Sequence, residues 1–378
     1  MNKINLSLTM LIALSTAGYA NADAKIKIND DVTAKLGLRV QTLYINRDNN
    51  GEDEFKLRRA RIRLGANVTD KASVFLQTDV SGKDVKLIDA YITYKPNKNV
   101  NIIVGEHMVP ASRQSLTTAA ALMTLDRPGI AYKAMNWGGR ALKNFSNSTI
   151  NETKAGFATR HAVRDVGGTI FGKFKLSEKM HLKFYTGAYN GSDKPADETL
   201  QYASRVQFNF GDAENGYFNS STYLGKKQTF ALGASYSSQS DAAMTVAGNG
   251  VDYALASVDV FVEQSIGEGA LTIEAAYTDL DLGGAGELTT GGIGTQSEGD
   301  GYYAQTGFYI NDFQVWGGYE SWDSTHTENL GSFSTSKVGI TYFLKDHNLN
   351  FKAGVEKFDP KWVAESETTF VVGAYLVF

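Results

Sequence analysis

The amino-acid sequence predicts an all-β protein, a transmembrane antiparallel β-barrel of 16 to 18 strands with one inward-folded constriction loop. Three observations support this prediction: recurring segments that alternate apolar and polar residues, an alternation of short and long connections, and an amphipathic final segment ending in Phe378. Alternation with a period of two is typical of strands that have one apolar face.

The clearest alternating segment runs from Phe55 to Val68, where Ala60, Ile62 and Leu64 share one face. Sixteen strands are predicted near residues 32–45, 55–69, 72–80, 86–95, 99–106, 166–176, 179–190, 200–210, 227–238, 253–264, 269–281, 301–311, 313–322, 334–345, 348–358 and 367–378. A weaker pair near 138–146 and 153–162 adds a hairpin, so the total is even at either 16 or 18.

The connections between these segments alternate in length. Tight ones such as Asp70-Lys71 alternate with longer polar ones such as Asn46–Glu54, a layout typical of outer-membrane barrels with short periplasmic turns. The connection Gly211–Lys226 is too long for its side. A soluble sandwich or propeller also alternates, but it does not require strands of ~9–11 residues with aromatic residues near their ends.

The N-terminal residues 1–22 are predicted to be a signal peptide, and residues 23–378 the barrel domain. Lys3 precedes a largely apolar stretch, and Ala20-Asn21-Ala22 matches a small-residue cleavage site. The chain has no Cys, which excludes disulfides, thiolate metal sites and a Cys nucleophile. We therefore expect a mature protein in the outer membrane of a Gram-negative bacterium.

Charge is divided unevenly along the chain. Residues 23–230 carry 31 Lys and Arg against 21 Asp and Glu, whereas residues 231–378 carry 5 against 20. This division predicts a barrel with one basic and one acidic wall. Nucleic acid is a poor candidate partner, because no basic run is longer than Arg58-Arg59.

Residues that point into the lumen follow from strand parity. Arg59, Arg61 and Arg63 are spaced two apart, so they form a row of guanidinium groups ~6–7 Å apart on one strand. Such a row could pass an anion along its forks, or it could simply pair with carboxylates across the pore, and the sequence leaves both interpretations open. The other inward basic residues on predicted strands are Lys35, Arg39, Lys173, Lys175, Lys183 and Arg205. The inward acidic residues are Asp259, Glu263, Glu274, Glu320 and Glu356, with Asp79 and Asp89 on the basic side.

Residues 107–138 are the candidate constriction loop. Pro110 ends a strand, and Leu116, Ala120 and Met123 are spaced as on one face of a short helix. If this loop folds inward, it brings Arg113 and Arg127 towards the lumen; an external lid is the alternative. The predicted anion-binding set is therefore Arg39, Arg59, Arg61, Arg63, Arg113, Arg127, Lys173, Lys175, Lys183 and Arg205.

The segment around the arginines resembles a known family. The run from Phe55 to Gly65, followed by Asp79, by Leu87–Ile92, and by Gly105 and Val109–Ser112, is similar to the phosphate-selective porin O and P family over about residues 36 to 130. The resemblance implies a trimeric outer-membrane channel in which an arginine row leads anions to a loop-lined constriction bearing lysines. The acidic second half departs from the basic lining that the resemblance implies.

The sequence favours a passive channel for small hydrophilic solutes, with anions such as phosphate as candidates. An enzymatic barrel, a lipase or protease, is the alternative, but the five His lie in different segments and no G-x-S-x-G or H-E-x-x-H motif occurs. We expect no cofactor and no metal site. The expected partners are membrane lipid, lipopolysaccharide and two further copies of the chain in a homotrimer.

Overall fold

The computed structural model describes residues 24–28, 32–48, 53–82, 84–130, 163–191, 198–284, 288–290, 298–325, 331–362 and 364–378. These residues form β1 Ala24–Lys27, β2 Thr33–Arg47, β3 Asp53–Asn67, β4 Ala72–Asp79, β5 Lys86–Tyr94, β6 Val100–Met108, β7 Arg164–Lys175, β8 Met180–Tyr189, β9 Gln201–Gly211, β10 Thr229–Thr245, β11 Gly250–Ile266, β12 Gly269–Asp281, β13 Leu288–Thr290, β14 Gly299–Ile310, β15 Phe313–Ser324, β16 Phe333–Lys345, β17 Leu349–Pro360 and β18 Glu367–Val377. The predicted signal peptide lies outside these residues.

Sixteen of the strands in the described ranges close into one antiparallel barrel. Each of β2 to β12 and β14 to β18 pairs with its neighbours along the chain, and β18 returns to pair with β2. The short strands β1 and β13 add to the edges of β2 and β10. The sixteen predicted segments all correspond to barrel strands, whereas the weaker pair at 138–146 and 153–162 falls outside the described residues.

The seam of the barrel joins the two ends of the chain. Strand β18 runs antiparallel to the C-terminal part of β2, from Thr369 opposite Arg47 to Val377 opposite Arg39. Phe378 then donates its backbone N–H to the carbonyl of Leu38 (2.8 Å) and accepts the N–H of Leu38 (2.7 Å). The last residue of the chain thus completes the closure, which leaves no free edge at this level of the sheet.

Side chains alternate between the lumen and the outer surface along every long strand. In β9, Arg205, Gln207 and Asn209 are buried inside, whereas Tyr202 and Phe208 face outward. Exposed apolar side chains on the outer face are the expected surface towards lipid. Within the described ranges, no helix combines the length and the hydropathy that a membrane-crossing helix needs.

The barrel wall is not equally tall all round. Strands β4, β5 and β6 have 8, 9 and 9 residues, whereas β10 and β11 have 17 each. Since a tilted membrane strand needs ~9–11 residues, the wall at β4 to β6 is at the lower limit for crossing a bilayer.

Two segments fold into the lumen. Residues 109–130, the constriction segment, follow β6, and residues 212–228, the periplasmic segment, connect β9 to β10. They meet inside the barrel, where Asn219 donates its N–H to the carbonyl of Leu116 (2.9 Å) and accepts the N–H of Thr118 (3.0 Å). The inward fold of the predicted constriction loop is confirmed for residues up to 130, and residues 131–138 lie outside the description. The excess length of the connection at Gly211–Lys226 is explained by its insertion into the barrel.

The predicted helix in the constriction segment is wrong. Residues 111–121 form successive turns, with the N–H of Leu116 bonded to the carbonyl of Arg113 and that of Thr117 to Gln114. The next backbone groups bond to the periplasmic segment instead, including the N–H of Thr118 to Asn219. The helical spacing of apolar residues therefore reflects burial on two sides rather than one helix face.

Candidate channel constriction

The acidic wall of the barrel is covered by the two inward segments. Glu263, on β11, accepts the backbone N–H groups of Tyr223 (2.6 Å) and Gly225 (2.9 Å). Glu274, on β12, accepts bonds from Gln114, Ser221, Tyr303 and Gln305 at 2.5 to 3.1 Å. Both carboxylates are fully buried. A carboxylate that is enclosed in this way is out of contact range of a permeating ion, so it attracts a cation less than a carboxylate that lines the path.

A second pair of charges links the inward segments to each other. Arg113, in the constriction segment, donates to both oxygens of Glu214 in the periplasmic segment, at 3.0 and 2.8 Å. Its guanidinium carbon lies 4.0 Å from the centre of the Phe261 ring. Burial acts to raise the pKa of Glu214, but the charge of Arg113 outweighs it and lowers that pKa to about 2. The pair therefore remains ionised and joins the segments throughout the neutral range.

Two of the predicted basic lining residues are also engaged on this side. Arg205 donates to both oxygens of Asp259, at 2.5 and 2.9 Å. Lys183 donates to the side-chain oxygen of Asn219 (2.6 Å) and to the carbonyl of Gly216 (3.2 Å). These cations fix the periplasmic segment and the wall behind it.

The opposite wall, β2 to β5, carries the arginine row. Arg59, Arg61 and Arg63 point into the lumen as parity predicts, and Arg39 lies directly opposite Arg61 on the neighbouring strand. A β-bulge between Gln41↔Arg59 and Thr42↔Leu57 inserts one extra residue, Arg58. A bulge re-aims the side chain that it inserts, and here Arg58 reaches into the lumen beside Arg59.

The carboxylate of Asp126, in the constriction segment, lies against this row. Arg58 donates to its Oδ2 from Nε (3.0 Å) and Nη2 (2.5 Å), and Arg59 donates to its Oδ1 (3.2 Å). Burial acts to raise the pKa of Asp126, but the charges of Arg58, Arg59 and Arg127 hold it well below its usual value. The constriction segment is therefore tied to the row by an ionised carboxylate.

Among the residues that the structure describes, arginines outnumber carboxylates around the row. Arg61 pairs with Asp79 (2.9 Å) on β4, and Arg164 pairs with Asp89 (2.8 Å). Arg39 donates to the hydroxyl of Thr118 (3.5 Å), and its Nε has no hydrogen-bond partner within the described part of the chain. Two arginines directly opposite each other on paired strands repel each other. An anion placed between them would relieve this repulsion.

An apolar socket seats the constriction segment on the remaining wall. Met123 and Leu125 pack with Trp316 in a buried cluster. A Cβ atom on Gly307 would lie 2.6 Å from Sδ of Met123, and one on Gly354 would lie 2.6 Å from the Trp316 ring, so these inward glycines make room for the socket.

Lys352 and Tyr375 hold the main chain of the segment above this socket. Lys352 Nζ donates to the carbonyls of Leu122, Met123 (3.3 Å) and Thr124 (2.9 Å). Tyr375 donates its hydroxyl to the carbonyl of Leu125 (3.0 Å). The socket and these bonds fix the height at which the segment crosses the lumen.

The remaining predicted site residues take different positions. Lys173 is half-buried and lies opposite Lys183, whereas Lys175 is exposed near the barrel end and pairs with Glu178 (2.8 Å). Arg127 is buried and donates to the carbonyls of Gln114 (3.1 Å) and Thr117.

Sequence reasoning missed five residues that organise the site. Arg58 is inserted by a bulge. Asp126 and Glu214 lie in the inward segments, Arg164 lies on β7, and Lys352 lies on β17. The one available signal was the unexplained length of the connection that carries Glu214.

A closed sixteen-stranded barrel with a loop folded into its lumen is the architecture of an outer-membrane channel of the porin type. Residues 32–347 match the model of a family described as "Phosphate-selective porin O and P". The chain belongs to this family, and family and fold together place it in the outer membrane of a Gram-negative bacterium. No curated protein sequence matches it significantly.

Solved structures show the same fold at low sequence identity. An anion-selective porin from Comamonas acidovorans is 12% identical, with a TM-score of 0.60 over 92% of this chain and 100% of that one. A loop-deletion mutant of OmpT, an outer membrane protein of Vibrio cholerae, is 12% identical, with a TM-score of 0.56 over 92% and 100%. The outer membrane channel DcaP of Acinetobacter baumannii is 13% identical, with a TM-score of 0.50 over 93% and 99%.

Proposed function

We propose that this protein is a passive channel for small hydrophilic solutes that prefers anions, phosphate among them, and that the arginine row lines its narrowest part. The observation that carries the proposal is the different pairing of the charges on the two walls within the described part of the chain. The carboxylates Asp259, Glu263 and Glu274 are enclosed by hydrogen bonds on one wall. The guanidinium groups on the other wall outnumber their carboxylate partners.

The proposed path runs along the arginine row, beside the edge of the constriction segment. Thr118 and Asp126 of that segment contact Arg39 and Arg59 directly. Each guanidinium fork can donate hydrogen bonds to two oxygens of an oxyanion, so an anion could be handed from one residue to the next. The Comamonas porin, whose name records anion selectivity, supports the proposal only by analogy of fold.

The test replaces Arg59, Arg61 and Arg63 together by Ala. At ~4 Å in water one charge contributes about 1 kcal/mol, so we expect a several-fold fall in anion-over-cation permeability. The fall should be larger at low salt, because the Debye length is ~30 Å at 0.01 M and ~3 Å at 1 M. Reversal potentials in planar bilayers with KCl gradients measure the ratio.

A matched control replaces Lys71, Lys95 and Lys98, which are exposed in turns, by Ala and so removes the same charge outside the lumen. This variant should keep the wild-type ratio. An unchanged ratio in the arginine variant would show that Asp79 and Asp126 neutralise the row, and the proposed role would then be wrong.

We also propose that signal-peptide removal at Ala22 yields the mature chain, and that three copies associate through the short wall β4 to β6. The outer face there is apolar and includes Val74, Ile92 and Val104. The remaining outer surface would face lipid and lipopolysaccharide.

The enzymatic alternative has less support. His107 Nε2 shares a hydrogen bond with Thr169 Oγ1 (2.6 Å), the kind of contact that a base and a hydroxyl nucleophile would make. Both residues are almost fully buried, and the ring of Tyr217 packs against His107, so a substrate could not reach them. An assay of the purified protein against ester and peptide substrates tests it directly.

A further inference from the structure

Asp126 makes the contacts that a dissolved oxyanion would make with the arginine row. Both of its carboxylate oxygens accept from guanidinium groups, Oδ2 from Arg58 and Oδ1 from Arg59. Such forked, charge-assisted bonds are the ones by which arginine recognises phosphate and carboxylate ions. The carboxylate therefore occupies a position on the row that a passing anion would use.

The position of Asp126 does not depend on the arginines alone. Lys352, on β17, holds the carbonyls of Leu122 to Thr124, and Tyr375, on β18, holds that of Leu125, so these bonds come from strands that do not carry the row. Leu125 is also buried in the apolar socket. The segment would therefore stay seated if the arginines released the carboxylate.

We propose that Asp126 is the built-in counter-ion of the arginine row, and that it competes with passing anions for Arg58 and Arg59. The proposal rests on the proposed function, since it supposes that anions travel along this row. Conduction requires binding that is favourable enough for entry and weak enough for release. Asp126 weakens the hold of the row on each anion and so allows fast release.

The charge of Asp126 is constant in the working range of the channel. Arg58, Arg59 and Arg127 keep its pKa well below the usual value against the opposing effect of burial. Mild acidification consequently leaves the competitor in place, and substitution is the appropriate way to remove its charge.

The experiment compares single-channel currents of the wild type and of Asp126→Asn, which keeps the shape and removes the charge. In KCl, we expect the anion-over-cation permeability ratio to rise several-fold in Asp126→Asn. When inorganic phosphate is added, the concentration that halves the chloride current should fall several-fold, because the freed forks hold phosphate longer.

Two further variants separate charge from seating. Tyr375→Phe removes one bond that seats the segment and leaves the charge of the row unchanged, so it isolates the effect of seating, and neither the rise in the permeability ratio nor the stronger response to phosphate should appear in it. Asp126→Glu retains the charge and should stay close to the wild type. The heat-dependent mobility of each variant on gels confirms that the barrel has folded.

The outcomes show whether the role of Asp126 fails alone or together with the proposed function. If the wild type shows no preference for anions, the proposed function and this inference both fail. If the wild type prefers anions but Asp126→Asn changes neither the ratio nor the response to phosphate, only the role of Asp126 is overturned. Equal changes in Asp126→Asn and Tyr375→Phe would also overturn it, because loss of seating would then explain both.

Discussion

The arginine wall and the acidic wall of the barrel differ in what covers them. On the acidic wall, Glu263 and Glu274 are met by backbone N–H groups and side chains of the two inward segments. On the arginine wall, within the described ranges, the constriction segment makes contact through Thr118, Ala119 and Asp126. The negative wall is enclosed, whereas the positive wall borders the path that we propose.

This difference shows that the charge of a strand does not by itself set the charge of a lumen. The acidic second half of the sequence appeared to oppose an anion channel. In the structure, Glu263 and Glu274 of that half accept hydrogen bonds that hold the periplasmic segment in place. A permeating ion cannot come into contact with these enclosed carboxylates, and the Coulomb attraction weakens as the distance between two charges grows.

Removing the cover from the acidic wall should have the largest effect. If residues 213–226 are replaced by an Asn-Gly turn, Glu263 loses the N–H groups of Tyr223 and Gly225, and Glu274 loses the hydroxyl of Ser221. We expect a higher conductance and a shift from anion towards cation preference. Each uncovered carboxylate within ~4 Å of a permeating ion changes the local ratio of cations to anions roughly five-fold. Reversal potentials measure the combined effect of the uncovered carboxylates.

A control for this deletion shortens the exposed tip of the hairpin between β10 and β11, within residues 246–249. These residues are exposed to solvent at the end of the hairpin, so the permeability ratio should not change. If the deletion of 213–226 also leaves the ratio unchanged, the enclosed carboxylates are not what separates the two walls.

The walls also differ in height, which predicts where copies of the chain associate. Val104, on the short strand β6, and Val258, on the long strand β11, are exposed to 57% and 55% on the outer face. Lys at either position should cost a similar amount in lipid, about 2–4 kcal/mol at the bilayer midplane. We expect Val104→Lys to run as a monomer in mild detergent and Val258→Lys to run as a trimer.

Crosslinking before solubilisation checks the same difference in the membrane. A wild-type protein that is monomeric in both measurements would contradict the trimer. Equal dissociation of the two Lys variants would contradict the assignment of the interface to the short wall.

The smallest expected effect concerns the pH dependence of the link between the inward segments. The pKa of Glu214 is lowered to about 2, from an ordinary value near 4.5. Because the folded-state pKa is depressed, the stabilisation by Arg113 is fully present above about pH 4.5 and is lost as pH falls towards 2. Current noise of the wild type should therefore be the same at about pH 7 and pH 5 and should rise only below that range.

Glu214→Gln tests this link without a change of pH. It leaves the Arg113 guanidinium buried without its carboxylate, a change that costs about 3–5 kcal/mol in comparable pairs. The variant should show increased noise already at neutral pH and a weaker response to acid. Noise that rises equally with acid in both proteins would show that another group is responsible.

The barrel itself could be predicted because its information is local and repeated. The period-two alternation of Phe55 to Val68 and the similar segments fix which face of each strand is apolar. The pattern of short turns then fixes antiparallel neighbours, so all sixteen barrel strands were predicted, fifteen of them within three residues at both ends, whereas β10 extends seven residues beyond its predicted end at 238. Strand parity also placed Arg39, Arg59, Arg61 and Arg63 in the lumen.

The contacts of the site could not be predicted from parity. The bulge at Arg58 changes the side on which one residue lies, and alternation cannot show where an extra residue is accommodated. The partners Asp126 and Glu214 lie in segments without periodicity, and they meet strands far away in sequence. The helix predicted from Leu116, Ala120 and Met123 was wrong because that spacing also suits a chain packed between two other surfaces.

The seam between Leu38 and Phe378 closes the wall around both inward segments. The constriction segment comes from the first half of the sequence, whereas the strands that supply Trp316, Lys352 and Tyr375 come from its last third. Strands that lie far along the sequence from the constriction segment therefore hold it in place, and the pairing of β18 with β2 completes the wall around it.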